Sequence, residues 1–98
     1  VLLTIASVLQ IQPEAAMQKI ILYSTLACHL CEIAEEIVSN RISGTDFLLT
    51  KVDIADDLEL LKKYGVSIPV LYSEKINKEL FWPFDSGCVD DFLANINS

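Results

Sequence analysis

The residues of this chain that could do covalent chemistry are Cys28 and Cys31, two thiols separated by His29 and Leu30. They follow directly on the apolar run Lys19-Ile20-Ile21-Leu22-Tyr23-Ser24. A strand feeding into Cys-x-x-Cys at a helix start makes the first thiol a nucleophile. The unpaired N–H groups there stabilise negative charge, so Cys28 can sit as thiolate. Cys31, one helical turn on, lies close enough to close a disulfide. His29 is the only histidine. As an imidazolium it would stabilise the Cys28 thiolate, while the helix N-terminus opposes a cation there, which leaves the sign of its effect open.

These thiols need elements to hold them, and the apolar periodicity supplies an order. Residues 19–24 have strand length. From Cys28 to Arg41, Leu30, Cys31, Ile33, Ala34, Ile37 and Val38 recur at helical spacing. Gly44-Thr45 breaks that helix, and Phe47 to Ile54 reads as a second buried strand. Asp56 and Asp57 start a second helix carrying Leu58, Leu60, Leu61 and Tyr64, which Gly65 ends. Val70–Ser73 and Glu79–Trp82 form a hairpin, and a last helix opens at Ser86 or Gly87. The order β-α-β-α-β-β-α predicts an α/β domain. Its four-stranded mixed sheet has a parallel first pair and an antiparallel last pair, and three helices cover it.

Composition narrows the function classes. The 98 residues make one domain, and 52% apolar content is ample for one core. A net charge of −7 argues against nucleic acid and anionic membrane surfaces as partners. Three cysteines do not make a secreted disulfide framework, so a reducing, cytoplasmic setting with a reactive dithiol is expected. Residues 1–16 read as an N-terminal extension, disordered or not native to the domain. They lack the basic start of a secretory signal, and the domain proper spans 17–98.

Cys28-His29-Leu30-Cys31, with Val66-Ser67-Ile68-Pro69-Val70 about forty residues later, resembles a thioredoxin-fold protein of glutaredoxin size. Tyr23-Ser24-Thr25 and Cys28-His29-Leu30-Cys31-Glu32 resemble, more narrowly, the small glutaredoxin-like proteins. The resemblance covers Lys19 to roughly Ile96. It implies a thiol-disulfide oxidoreductase working in electron transport, with Cys28 as attacking thiol and Cys31 as resolving thiol. It implies a cis peptide at Pro69, with the backbone groups of Ile68 free to pair with an extended substrate. Substrate-contacting residues would be His29, Ile68, Pro69, Gly87 and Asp90. The implied partners are protein or small-molecule disulfides and a reductant, either glutathione or a thioredoxin-reductase-type system. A monomer with no metal and no tightly bound cofactor is expected.

Two departures weaken glutathione as co-substrate. Glutaredoxins commonly carry a basic residue just before the motif, whereas Ser24 to Ala27 carry none. Their Gly-Gly-x-Asp turn is here Ser86-Gly87-Cys88-Val89-Asp90. Cys88 reads as a small buried hydrophobe rather than a third redox thiol. Phe81-Trp82-Pro83-Phe84 reads as core and hairpin packing. The alternative function is a non-catalytic thioredoxin-fold module docking a partner peptide at the Pro69 edge.

Overall fold

The computed structural model describes residues 17–98. The expectation for residues 1–16 lies outside the described residues. The chain runs β1 (Gln18–Ser24), α1 (His29–Ile42), β2 (Phe47–Asp53), a 3-10 turn (Ile54–Asp56), α2 (Leu58–Tyr64), β3 (Val70–Ser73), β4 (Lys78–Phe81) and α3 (Ser86–Ile96). The sheet order is β2-β1-β3-β4. β1 lies parallel to β2 and antiparallel to β3, and β3 pairs antiparallel with β4.

Strand alternation sorts the side chains of the sheet onto two faces. Ile20, Leu22, Phe47 and Leu71 point to one face, where Ala34 and Val38 of α1 and Val89, Phe92, Leu93 and Ile96 of α3 close the core. The α3 set recurs at i, i+3, i+4 and i+7, the stripe of a half-buried helix. Ile54, Tyr64 and Val70 form a smaller cluster on the other face, beneath α2, with Tyr23, Leu60 and Ile68 packed against it.

Short polar side chains set the helix starts. The Asp57 carboxylate accepts N–H bonds from Glu59 at 2.9 Å and Leu60 at 3.2 Å, which caps α2. Lys62 and Lys63 occupy its last turn, complementing the helix dipole. Asp85 caps α3 through the Cys88 N–H at 2.9 Å. Gly44 adopts φ 77°, the left-handed conformation that lets the chain turn out of α1.

Strand boundaries differ from the sequence reading, since Ile54 begins the 3-10 turn instead of ending β2. The last strand is Lys78–Phe81 and excludes Trp82. The Trp82 N–H instead donates to the Pro69 carbonyl at 3.3 Å. Its ring packs edge-on against Phe84, with centroids 5.1 Å apart. Alternating hydrophobicity could not separate a strand end from an aromatic that leaves the ladder to pack over it.

Candidate functional site

β1 delivers the chain to the top of the sheet at Ser24, and a short turn then leads into α1. Ala27 takes φ 56°, turning the backbone so that Cys28 becomes the N-cap of α1. The Cys28 sulfur accepts the Cys31 backbone N–H at 3.2 Å. The two cysteines form a disulfide with Cα atoms 5.2 Å apart, inside the usual span of such a bond. Cys31 is 4% exposed, whereas Cys28 is only half-buried. The outer and inner positions are thus set by one turn of helix. His29 is exposed at the same turn.

Two recesses flank this pair. On the β2 side a cleft of about 320 Å³ is lined by Cys28, Cys31, Ser24, Glu32, Glu35, Lys51 and Asp53 together with the turn 25–27. On the opposite side Leu30, Val66, Ser67, Ile68, Phe81 and Trp82 line a shallower groove. Leu30, Val66 and Phe81 are exposed in it, Val66 completely. The groove joins Leu30, from between the cysteines, to Ile68 on the segment before β3.

Pro69 is fully buried, and the Ile68–Pro69 and Trp82–Pro83 peptides are cis. The expectation that both backbone groups of Ile68 are free needs correction. Its N–H donates to the Tyr64 carbonyl at 3.1 Å, because the chain leaving α2 keeps a helix-like bond there. Gly87 is exposed in the first turn of α3, beside the capping Asp85. Asp90 holds Arg41 in a two-pronged ion pair, at 2.8 and 2.7 Å. That pair raises the guanidinium's affinity for its proton and ties α3 to the last turn of α1. Neither Gly87 nor Asp90 lines the cleft or the groove at the disulfide. Cys88, expected inside, is exposed, because it precedes the buried Val89 and falls off the α3 stripe.

Sequence reasoning missed a tyrosine cluster beneath α2. Tyr23 stacks on Tyr64 with ring centroids 4.7 Å apart, and Tyr72 lies 6.1 Å from Tyr23. The Tyr64 hydroxyl donates to the Glu79 carboxylate. Burial and then that carboxylate push the Tyr64 phenol well above its ordinary value. Burial likewise raises Tyr23, with Tyr72 and nearby carboxylates adding to it. Lys63 sits 3.9 Å from Glu79 and over the Tyr64 ring. Three tyrosines scattered along the chain carry no local signal, and only the pairing of β1 with β3 and the packing of α2 against them gather the three.

Among the described residues no three His, Cys, Asp or Glu side chains converge as a metal site, and no helix is long and apolar enough to cross a membrane.

Comparison with known proteins agrees with this geometry. Residues 19–94 match the model of the glutaredoxin-like domain (DUF836). Protein XcR50 from X. campestris is 34% identical, with a TM-score of 0.69 over 78% of this chain and 96% of that one. Protein Ne2328 from Nitrosomonas europaea is 26% identical, with a TM-score of 0.66 over 85% and 94%. A mutant thioredoxin from Halobacterium salinarum NRC-1 is 20% identical, with a TM-score of 0.65 over 87% and 79%, a likeness of fold. No functionally curated protein matches the chain. The chain belongs to the glutaredoxin-like domain family and has the thioredoxin fold, with a Cys28–Cys31 pair at disulfide distance.

Proposed function

We propose that this protein is a thiol-disulfide oxidoreductase. The observation that carries the reading is the asymmetry of the cysteine pair. Cys28 caps a helix of 14 residues and receives a backbone N–H at its sulfur, while Cys31 is buried one turn in. When the pair is reduced, that N–H and the helix dipole favour negative charge on Cys28. The Cys28 thiolate attacks one sulfur of a substrate disulfide, forms a mixed disulfide and releases the first substrate thiol. Cys31 then attacks the Cys28 sulfur, closes the disulfide seen here and releases the second thiol. Two electrons pass from protein to substrate, and both thiol protons leave with the products. A thiol reductant, glutathione or a reductase-fed dithiol, returns the pair to its starting state.

The groove between Leu30 and Ile68 supports a role in holding the substrate chain. With its N–H committed to Tyr64, Ile68 offers its carbonyl to such a chain. The exposed side chains of Leu30, Val66 and Phe81 in the same groove favour a second reading, a partner-docking module without redox turnover.

Reduction of hydroxyethyl disulfide, with dithiothreitol as reductant, separates the two. The expected result is a Cys28-dependent rate that C28S lowers by at least about a hundredfold, to background. A C28S rate equal to wild type refutes the oxidoreductase reading and leaves the docking module.

A further inference from the structure

Of the seven residues of α2 only Tyr64 is buried, while Leu58 and Leu61 are exposed. So short a helix is not stable by itself, and its place on the sheet depends chiefly on what that side chain touches. Tyr64 is gripped from two strands. Its ring stacks on Tyr23 of β1, and its hydroxyl donates to the Glu79 carboxylate of β4. The main chain of the same residue holds the groove. The Tyr64 carbonyl accepts the N–H groups of Ser67 at 2.8 Å and Ile68 at 3.1 Å. At the far end of this segment the Pro69 carbonyl accepts the Trp82 N–H at 3.3 Å. Val66, Ser67 and Ile68 thus run between two fixed points and line the groove with Leu30, Phe81 and Trp82. Glu79 lies two residues before Phe81, and strand alternation puts both on one face of β4. The hydroxyl–carboxylate bond therefore ties the chain leaving α2 to the strand that carries Phe81.

We propose that Tyr64 is a positioning residue for the substrate: its bond to Glu79 sets where Ile68 stands relative to Leu30 and Phe81, and so where a bound chain lies beside Cys28. The inference rests on the oxidoreductase reading and deepens it by naming the substrate class. Disulfides within an extended peptide use the groove and depend on Tyr64. Small disulfides reach Cys28 without it. Cys28 is set by α1, on the opposite face of the sheet, so the chemical step does not pass through Tyr64.

The test compares hydroxyethyl disulfide with the symmetrical disulfide of a short neutral peptide that has one central cysteine. Dithiothreitol is the reductant, and its own rate is subtracted. Y64F keeps the ring and removes the hydroxyl. It should raise KM for the peptide by about three- to tenfold. It should leave kcat, and both constants for hydroxyethyl disulfide, within about twofold. E79A should act in the same way, and Y64F E79A should do no more than either alone, because all three lose one bond. E79Q, whose amide carbonyl still accepts the hydroxyl, should keep KM near wild type. An unchanged KM for the peptide, equal effects on both substrates, additive effects, or E79Q as damaging as E79A overturns the proposal. A binding measurement without turnover separates this failure from that of the oxidoreductase reading. The same peptide with serine for cysteine is titrated into the oxidised protein and followed by amide shifts. Shifts should localise to Val66, Ser67 and Ile68, with an affinity that Y64F weakens by about three- to tenfold. No shifts there, or an affinity that Y64F leaves unchanged, refutes the role of Tyr64 whatever the kinetics show. If the peptide binds as expected but wild type reduces neither disulfide, the oxidoreductase reading has failed and the substrate role falls with it.

Discussion

The two faces of the sheet are built by different means. Under α1 and α3 the core is aliphatic and aromatic, with Ile20, Leu22, Ala34, Val38 and Val89 fully enclosed. Under α2 it is small, and a stack of tyrosines and a hydroxyl–carboxylate bond take the place of aliphatic packing. The helix that carries the cysteine pair, α1, rides on the first face. The segment 65–69, which carries Ile68 into the groove, leaves the short helix on the second. The cysteine pair is thereby fixed by the part of the molecule with most burial. The chain that lines the groove beside Leu30 is held by a few polar and stacking contacts, and loss of any one of them should be felt locally.

This contrast predicts unequal mutations. L22A empties a fully buried site in the larger core and should cost about 2–5 kcal/mol, a large part of the roughly 5–15 kcal/mol of a small domain. Urea unfolding measures it, and a loss below about 1 kcal/mol would mean the first face is not the main support. Y64F removes the bond to Glu79 and should cost less, about 1–2 kcal/mol. Its mark should be selective, with raised KM for a peptide disulfide and little change for hydroxyethyl disulfide. Equal effects on both substrates would show that the second face does not position the groove.

The pH dependence separates the two faces further. Because the folded Tyr64 phenol lies above its ordinary value of 10, its contribution is complete below pH 10. That contribution changes as pH rises from there through the folded value, where the phenol's bond to Glu79 is lost. Y64F should therefore flatten the alkaline fall in stability. At the other end of the scale, capping of α3 holds Asp85 below its ordinary value of 3.8. That exposed cap supports the first face above pH 3.8, and its support fades as pH falls through the lower folded value. D85N should give the smallest loss at pH 7 and none in strong acid. A D85N deficit that persists in strong acid would assign the effect to something other than the carboxylate charge.

Much of the architecture is legible in the sequence because it is local. Apolar runs give the strands, helical spacing gives α1 and α3, and Asp57 and Gly65 bracket α2. The cysteine pair is equally local. What escapes is whatever depends on pairing between distant segments. The sheet order β2-β1-β3-β4 brings Ser24 beside Asp53, the packing of α2 on the sheet brings Tyr64 beside Glu79, and neither neighbour is visible in the periodicity. The same limit explains the wrong expectation for Cys88, whose exposure depends on which α3 stripe meets the core. It also explains Asp90, which the fold commits to Arg41.

The division of labour, in which Cys28 attacks and Cys31 resolves, is open to a direct trap. The C31S C88S variant leaves Cys28 as the sole thiol, and incubation with hydroxyethyl disulfide is followed by mass spectrometry. A stable adduct on Cys28, formed faster than on a free thiol and released only by added reductant, is the expected result. The mirror variant C28S C88S, with only the buried Cys31, should gain the adduct far more slowly. An adduct of equal rate on Cys31, or none on Cys28, would contradict that division.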